Sequence, residues 1–299
     1  PESKFFLERL IDKAAEEMGI DRIELRRRNM ISPEMLPHET PVDLTYDSGE
    51  FETIMDLCLE RSDYAGYTAR KEASKAVGMI RGFGVAPYLE TTAGAGTELA
   101  DIRFEEDGSV TLVTGNKDFG MGHATPFAQV LSAQLGVPFE VIKLVQHDSD
   151  EMSLGAGGSG GSRSMIAASG AILECAEAIV ENGKKLAGHV LEAAIEDIEF
   201  AGGVFTVAGT DRNIGIMTLA EKARELGGEA DLPEELSHKV NHSTAPTSFP
   251  NGCHAAEVEI DPDTGVVTID RYTVVDDFGV VVNPLIVEGQ VHGGIAQGI

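Results

Sequence analysis

The chain has 299 residues, 42% of them hydrophobic, enough apolar content for one large domain or two packed ones. Its net charge is −27, from 23 basic and 50 acidic side chains, and no basic cluster of five or more occurs. That argues against nucleic-acid binding by phosphate neutralisation and against an anionic membrane surface; the spread acidity reads as a solvated surface.

Phe6, Leu10, Ile11, Ala14, Ala15 and Met18 fall at helical spacing, so Phe5–Met18 is predicted to be an amphipathic helix ended by Gly19. Asp21–Asn29 reads as a second, Asp-capped helix with arginines at its C-terminal end, as the helix dipole favours. Pro33, Pro37 and Pro41 mark a loop. Phe51–Arg61 and Tyr64–Lys75 are further helical stretches. From Arg81 the texture changes to strands and glycines. Ala100–Phe104 and Val110–Thr114 alternate around Asp107-Gly108, a hairpin signal. Pro126–Leu135 is a helix closed by Gly136 and Pro138, and Val141–Val145 a strand. A long helix follows Ser164 toward Glu196, with a break expected at Gly183. Val204–Val207 is a short strand and Leu219–Leu226 a short helix.

Cys58, Cys175 and Cys253 lie far apart with no CxxC pair. They encode no zinc or iron–sulfur ligand set and read as small buried thiols in a reducing, cytoplasmic compartment. No signal peptide and no 18-residue apolar run is present. Residue 1 is Pro, and residue 299 falls inside the apolar, Gly-rich stretch Val291–Ile299, so a piece of a longer chain is expected.

Gly155-Ala-Gly-Gly-Ser-Gly-Gly-Ser162-Arg163-Ser164 has five glycines in ten residues and runs into the long helix. Glycines let amide N–H groups line one concavity, and a helix start adds unpaired donors and partial positive charge. Ser162, Arg163 and Ser164 add side-chain donors suited to phosphate or another anion. The plainer alternative is a surface loop with Ser164 as a helix cap. Gly120-Met121-Gly122-His123-Ala124-Thr125 is a second glycine-rich helix start, with Thr125 at the expected N-cap. Together the two starts make a cradle for a pyrophosphate. Near the C-terminus, Asn283 and Gln290 bear amides able to read a heterocycle edge; a loop and a packed Gly-rich helix is the alternative.

The segment at Ala256 repeats the segment at Ala100. Ala100-Asp-Ile-Arg-Phe, Asp107-Gly108, Val110-Thr-Leu-Val and Asp118-Phe-Gly120 are matched by Ala256-Glu-Val-Glu-Ile, Asp263-Thr-Gly265, Val267-Thr-Ile and Asp277-Phe-Gly279. The period is too long for a solenoid. Two related sub-domains with a ligand between them would account for it; so would chance similarity of two hairpins. Asp-Phe-Gly also occurs in kinases, but no other kinase motif accompanies it, and it is read as a strand end followed by a tight turn. Asp276-Asp277 reads as a turn pair rather than an acid–base couple.

Gly120–Thr125, Gly160–Ser164 and Asn283–Gly294 together resemble the molybdenum-binding large subunit of the xanthine dehydrogenase/aldehyde oxidase/carbon monoxide dehydrogenase family. The opening Pro1-Glu-Ser and Glu24-Leu-Arg-Arg-Arg-Asn29 resemble the segment after that family's Arg-Gly-Ala-Gly-Arg motif. The similarity spans essentially the whole chain, in order. It implies an α+β fold of two similar mixed-sheet sub-domains with flanking helices. We expect a helical segment at 1–80, a first molybdopterin-binding sub-domain at 81–210 and a second, truncated one at 211–299. The implied cofactor is molybdopterin with Mo, or its cytosine dinucleotide. The implied partners are an iron–sulfur subunit carrying [2Fe–2S] and an FAD subunit in a dimer of heterotrimers, without nucleic acid or a membrane span.

Carried over by position, Gly120, Met121, Gly122, His123 and Thr125 would line the pterin and pyrophosphate. Gly161, Ser162, Arg163 and Ser164 would meet the phosphates or the nucleotide. Asn283 and Gln290 would hydrogen-bond the pterin or dinucleotide, and Tyr88–Gly96 would join the substrate pocket. Met121 stands where the family has Gln, which removes an amide donor. The family's catalytic Glu would follow residue 299 and its Gly-Gly-Phe-Gly motif would precede residue 1, so the chain carries no catalytic residue and should be inactive alone. The resemblance implies oxidation of an aldehyde, N-heterocycle or similar small molecule with water as the oxygen source. A non-catalytic anion- or nucleotide-binding module and a structural partner subunit are the alternatives.

Overall fold

The computed structural model describes residues 2–92, 96–146, 148–151, 159–226, 228, 232–243 and 247–299. Its elements are α1 (Glu2–Met18), α2 (Arg22–Arg27), β1 (His38–Glu39), β2 (Thr45–Tyr46), α3 (Phe51–Arg61), α4 (Tyr67–Ala76), β3 (Ile80–Leu89), β4 (Thr97–Phe104), β5 (Val110–Thr114), α5 (Ala124–Leu135), β6 (Ile142–Val145), α6 (Ser164–Val190), β7 (Ile198–Ala201), β8 (Val204–Val207), β9 (Asn213–Gly215), α7 (Ile216–Leu226), β10 (His238–Ser243), β11 (Asn251–Ile260), β12 (Val267–Asp277) and α8 (Pro284–Gly298). The fold is α+β. It divides into two compact units, though not at the expected positions 80 and 210. One takes residues 1–92 and 248–280 with Gly298; the other takes 93–247, 281–297 and Ile299. Strand pairing is the reason: β11 returns some 170 residues later to lie against β3, from Asn251 opposite Leu89 to Ile260 opposite Ile80.

In the first unit the antiparallel sheet β12-β11-β3 turns one face to α3. Strand alternation puts Phe83, Val85, Cys253 and Ala255 on that face, where they bury Ile54, Met55 and Cys58. Glu257 continues the same face beside α4. Its fully buried carboxylate is held by Arg70 at 2.7 Å and by Arg81 at 2.6 Å. Asp21 caps α2 as expected, accepting from the N–H groups of Ile23 and Glu24. The amphipathic reading of α1 needs correction: only Ala15 is buried, and Phe6, Leu10 and Met18 stay exposed. Arg26 holds α1 through Glu8 at 2.7 Å and Asp12 at 2.9 Å.

In the second unit the sheet runs β10-β4-β5-β6, antiparallel except for the parallel β5–β6 pair. A parallel pair needs a crossover, and α5 lies in that connection. Ala100, Ile102, Phe104, Val110 and Leu112 of the sheet form one core with Phe127 and Leu131 of α5 and with Ala168, Ala171, Ile172 and Cys175 of α6. Helix α6 runs unbroken to Val190. Gly183 is there for close approach instead: an added Cβ would sit 2.3 Å from the Phe205 ring of β8. Helix α5 begins two residues before Pro126, so His123 is the N-cap and Thr125 lies inside the first turn. Ser164 is likewise the first helical residue of α6, after Arg163 at the cap.

Candidate functional site

All the glycine-rich bends picked out in the sequence that are described belong to the second unit. The first follows β5. Asp118 turns its carboxylate back onto its own loop. Its Oδ1 accepts from the amides of Gly120 and Met121 at 2.7 Å each and Gly122 at 3.3 Å, and its Oδ2 from His123 at 2.8 Å. Gly120 and Gly122, at φ +107° and +75°, permit that wrap. Burial opposes the charge on Asp118, but the amides of His123, Gly120 and Met121 outweigh it and hold the carboxyl below its ordinary pKa. The four amides expected to cradle a pyrophosphate therefore surround an internal anion. Asp-x-Gly, a side-chain-to-backbone turn signal, is the part of the sequence that foreshadows it.

The loop still offers other groups. His123 is 5% exposed and stacks on Phe127 with ring centroids 4.9 Å apart. Its Nδ1 is buried with no hydrogen-bond partner among the described residues. An unsatisfied buried nitrogen is costly, which suits a site completed by a bound group. Gly120 and Thr125 are exposed and Met121 half-buried.

The second bend precedes α6. Gly155–Gly158 lie outside the described residues. Gly161 and Ser162 are exposed, both with left-handed φ of +57° and +58°; for Ser162 that is an uncommon conformation. Arg163 points inward, 8% exposed, with Nη1 3.5 Å from a carboxylate oxygen of Glu98 on β4. Helix geometry leaves the first-turn N–H groups of α6, from Ser164 onward, without intrahelical acceptors. The third bend leads into α8. Asn283 Oδ1 caps the helix through the N–H of Ile286 at 3.0 Å, and Nδ2 donates to Gln129 Oε1 of α5 at 2.8 Å. Both polar atoms of Asn283 thus serve the fold. Gln290 is exposed seven residues on, about two turns along the same helix.

The three bends meet. The Ser159 hydroxyl donates to the carbonyl of Lys117. Asn116, just before the first bend, and Arg163, in the second, both reach Glu98. An added Cβ on Gly122 would touch Ile286 of α8 at 3.5 Å. Sequence reasoning missed Glu98 and Asp118. The available signal for Glu98 was a carboxylate directly before Leu99-Ala100 in a strand whose other charges, Asp101 and Arg103, pair with each other.

In the first unit, on the sheet face away from α3, the Tyr88 hydroxyl donates to Asp276 Oδ1 at 2.8 Å above Gly252, where a Cβ would come within 2.2 Å of that oxygen. His254 Nδ1 lies 2.9 Å from the Tyr272 hydroxyl. Burial raises the pKa of Asp276 despite the Tyr88 hydrogen bond, and burial lowers that of His254. Asp276 is therefore a strand residue in a polar cluster rather than a turn residue. Of the proposed pocket stretch Tyr88–Gly96, residues 93–95 lie outside the described residues.

A family model described as a molybdopterin cofactor-binding domain matches residues 57–299. The chain belongs to that family. It is 30% identical to the carbon monoxide dehydrogenase large chain of Hydrogenophaga pseudoflava, over 99% of this chain and 39% of the relative. It is 33% identical to the nicotine 6-hydroxylase large subunit of Paenarthrobacter nicotinovorans, over 98% of this chain and 37% of the relative. Among solved structures, quinoline 2-oxidoreductase from Pseudomonas putida 86 superposes with a TM-score of 0.89 at 31% identity, covering 98% of this chain and 39% of that one. The chain thus spans under two fifths of the length of these relatives. The described residues fit the family's anionic cofactor in part: exposed Gly161 and Ser162 at a helix start and the orphaned His123 Nδ1 suit it, whereas the Gly120–His123 amides are engaged by Asp118. No helix among the described residues is long and apolar enough to cross a membrane.

Proposed function

We propose that this chain is part of the large subunit of a molybdenum hydroxylase and holds molybdopterin in its cytosine dinucleotide form. The observation that supports this reading is the meeting of three helix-entry bends in one unit, with a buried imidazole nitrogen among them that has no partner among the described residues. Ser162, Ser164 and the first-turn amides of α6 bind the phosphates through N–H and O–H donors. His123, clamped on Phe127, orients the pterin with Nδ1. Gly120 and Gly122 let it approach, Met121 gives it an apolar contact in place of an amide donor, and Gln290 reads a heterocycle edge. Thr125 and Asn283 support the two helix starts.

When bound, the cofactor supplies the two-electron oxidation chemistry; the chain binds, orients and excludes water. The substrate is an aldehyde, N-heterocycle or similar small molecule, hydroxylated with oxygen from water. The electrons pass to [2Fe–2S] and FAD on partner subunits in the cytoplasm.

The test is analysis of the intact natural protein, purified from cells supplied with molybdate and the cofactor-loading machinery. About one molybdenum and one releasable cytidine monophosphate per chain are expected. A protein free of both molybdenum and pterin overturns the reading, and pterin without cytidylate overturns its dinucleotide part.

A further inference from the structure

Strand β4 carries a carboxylate into the core of the second unit. Glu98 has no exposed surface. One of its oxygens accepts from Asn116 Nδ2 at 2.7 Å and lies 3.5 Å from Arg163 Nη1. Its other oxygen, and Asn116 Oδ1, are buried with no partner among the described residues. Burying such a charge costs several kcal/mol, and apolar residues of similar volume would serve stability as well. What Glu98 touches is informative. Asn116 stands two residues before Asp118, whose carboxylate shapes the first bend. Arg163 is the N-cap of α6 and closes the second bend. A single carboxylate therefore reaches the base of both.

The sequence alone casts Arg163 as a donor to the bound anion. Its 8% exposure and inward guanidinium suit a different task. Resting on the cofactor reading above, we propose that Glu98 and Arg163 are a positioning pair. Arg163 acts as the counter-ion of Glu98 rather than as a direct ligand of phosphate, and the pair fixes the spacing of the two bends that receive the cofactor's anionic part. Asn116 completes it by tying Glu98 to the end of β5.

The experiment compares the intact protein with its Glu98→Gln, Arg163→Gln and double variants, all loaded in the same host. Molybdenum and pterin per chain are measured, with thermal midpoints as a fold control. Each single variant should lower cofactor retention about tenfold, at the lower end for groups that orient ligands. The double variant should be no worse than either single one, because the two act as a unit.

Direct phosphate binding by Arg163 predicts the opposite sign for one variant: Glu98→Gln removes a carboxylate that competes with phosphate, so retention holds or rises while Arg163→Gln alone loses it. That result overturns the proposal, as does strict additivity. Amide hydrogen exchange on the cofactor-free protein tests the pair separately from the cofactor reading. Both Gln variants should speed exchange in 116–123 and 159–165 together, and unchanged exchange overturns the pair even where the intact protein holds molybdenum. Where Glu98→Gln does not fold, Arg163→Lys carries the test. It keeps the charge at a single-point contact, so retention within about threefold of wild type supports the counter-ion role, and a loss as deep as that of Arg163→Gln overturns it.

Discussion

The second unit's hairpin β4–β5 and the first unit's hairpin β11–β12 are the same device in two states of completion. Each has its first strand in the middle, flanked by a third antiparallel strand: β10 beside β4, β3 beside β11. Each ends in Asp-Phe-Gly with the Asp carboxylate accepting the glycine N–H, at 2.7 Å for Asp118 and 2.9 Å for Asp277. Each then enters a helix. The differences lie in what surrounds them. Strand β5 gains a parallel partner in β6, and Asp118 gathers four amides. Strand β12 is an edge, with Val267 and Ile269 exposed, and α8 buries none of its residues although most of them are apolar or glycine. The repeated sequence specifies the hairpin and turn locally; what surrounds each hairpin differs.

The equivalent acids of the two first strands give the largest contrast. Both are buried, but Glu257 lies between two arginines, Arg70 and Arg81, while Asp101 pairs with the partly exposed Arg103 at 2.7 Å. Removing one member of a buried ion pair strands its partners. Glu257→Ala should cost about 3 kcal/mol in urea unfolding of the intact protein, because each arginine keeps a second acid, Asp63 or Asp270. Asp101→Ala should cost about 1 kcal/mol, since Arg103 keeps Glu151 at 2.6 Å. Equal costs would mean that the two strands are not in different surroundings.

Next comes the turn acid. Asp118→Ala releases four amides at once and should cost about 2–3 kcal/mol, with charged hydrogen bonds valued at about 1.5–3 kcal/mol each before solvent replaces some of them. Exchange of the Gly120–His123 amides should rise with it. A loss under about 0.5 kcal/mol would show that solvent replaces the carboxylate fully.

Position 98 of β4 and position 254 of β11 are equivalent in the repeat, and burial disfavours the ionised form of each side chain. The signs differ. The folded pKa of Glu98 is raised above its unfolded value of 4.5, so the stability this confers is full below pH 4.5 and falls as pH rises through the folded value. The folded pKa of His254 is lowered below 6.5, so its contribution is full above pH 6.5 and falls as pH drops through the folded value. Relative to wild type, Glu98→Gln should therefore look better at pH 7 than at pH 5. His254→Asn should look better at pH 5 than at pH 7. Parallel pH profiles for the two variants would remove either burial as the cause.

Much of this was legible in sequence. Periodicity marked α3, β5 and β8 to the residue, and the repeat marked both hairpins, because these signals are local. The bends were legible as glycine-rich helix starts. What was not legible came from long-range pairing. Neither β10 nor the return of β11 to β3 leaves a local trace, so the unit boundaries at 92 and 248 could not be read. The direction of the Gly120–His123 amides depended on Asp118 folding back, and the inward turn of Arg163 depended on Glu98, 65 residues away. The exposed faces of α1 and α8 carry core-like residues, which sequence reads as burial.

The smallest effect is the most exacting test of the comparison. Asp277 accepts one loop amide, that of Gly279, in an exposed stretch. Water can take over that single bond, so Asp277→Ala should cost about 0.5–1 kcal/mol, less than half of Asp118→Ala. Exchange should quicken at Gly279 alone rather than across the loop. If the two alanine variants instead cost the same in the intact protein, Asp277 gathers more there than the single amide of Gly279. The second hairpin would then be as complete as the first in the intact molecule.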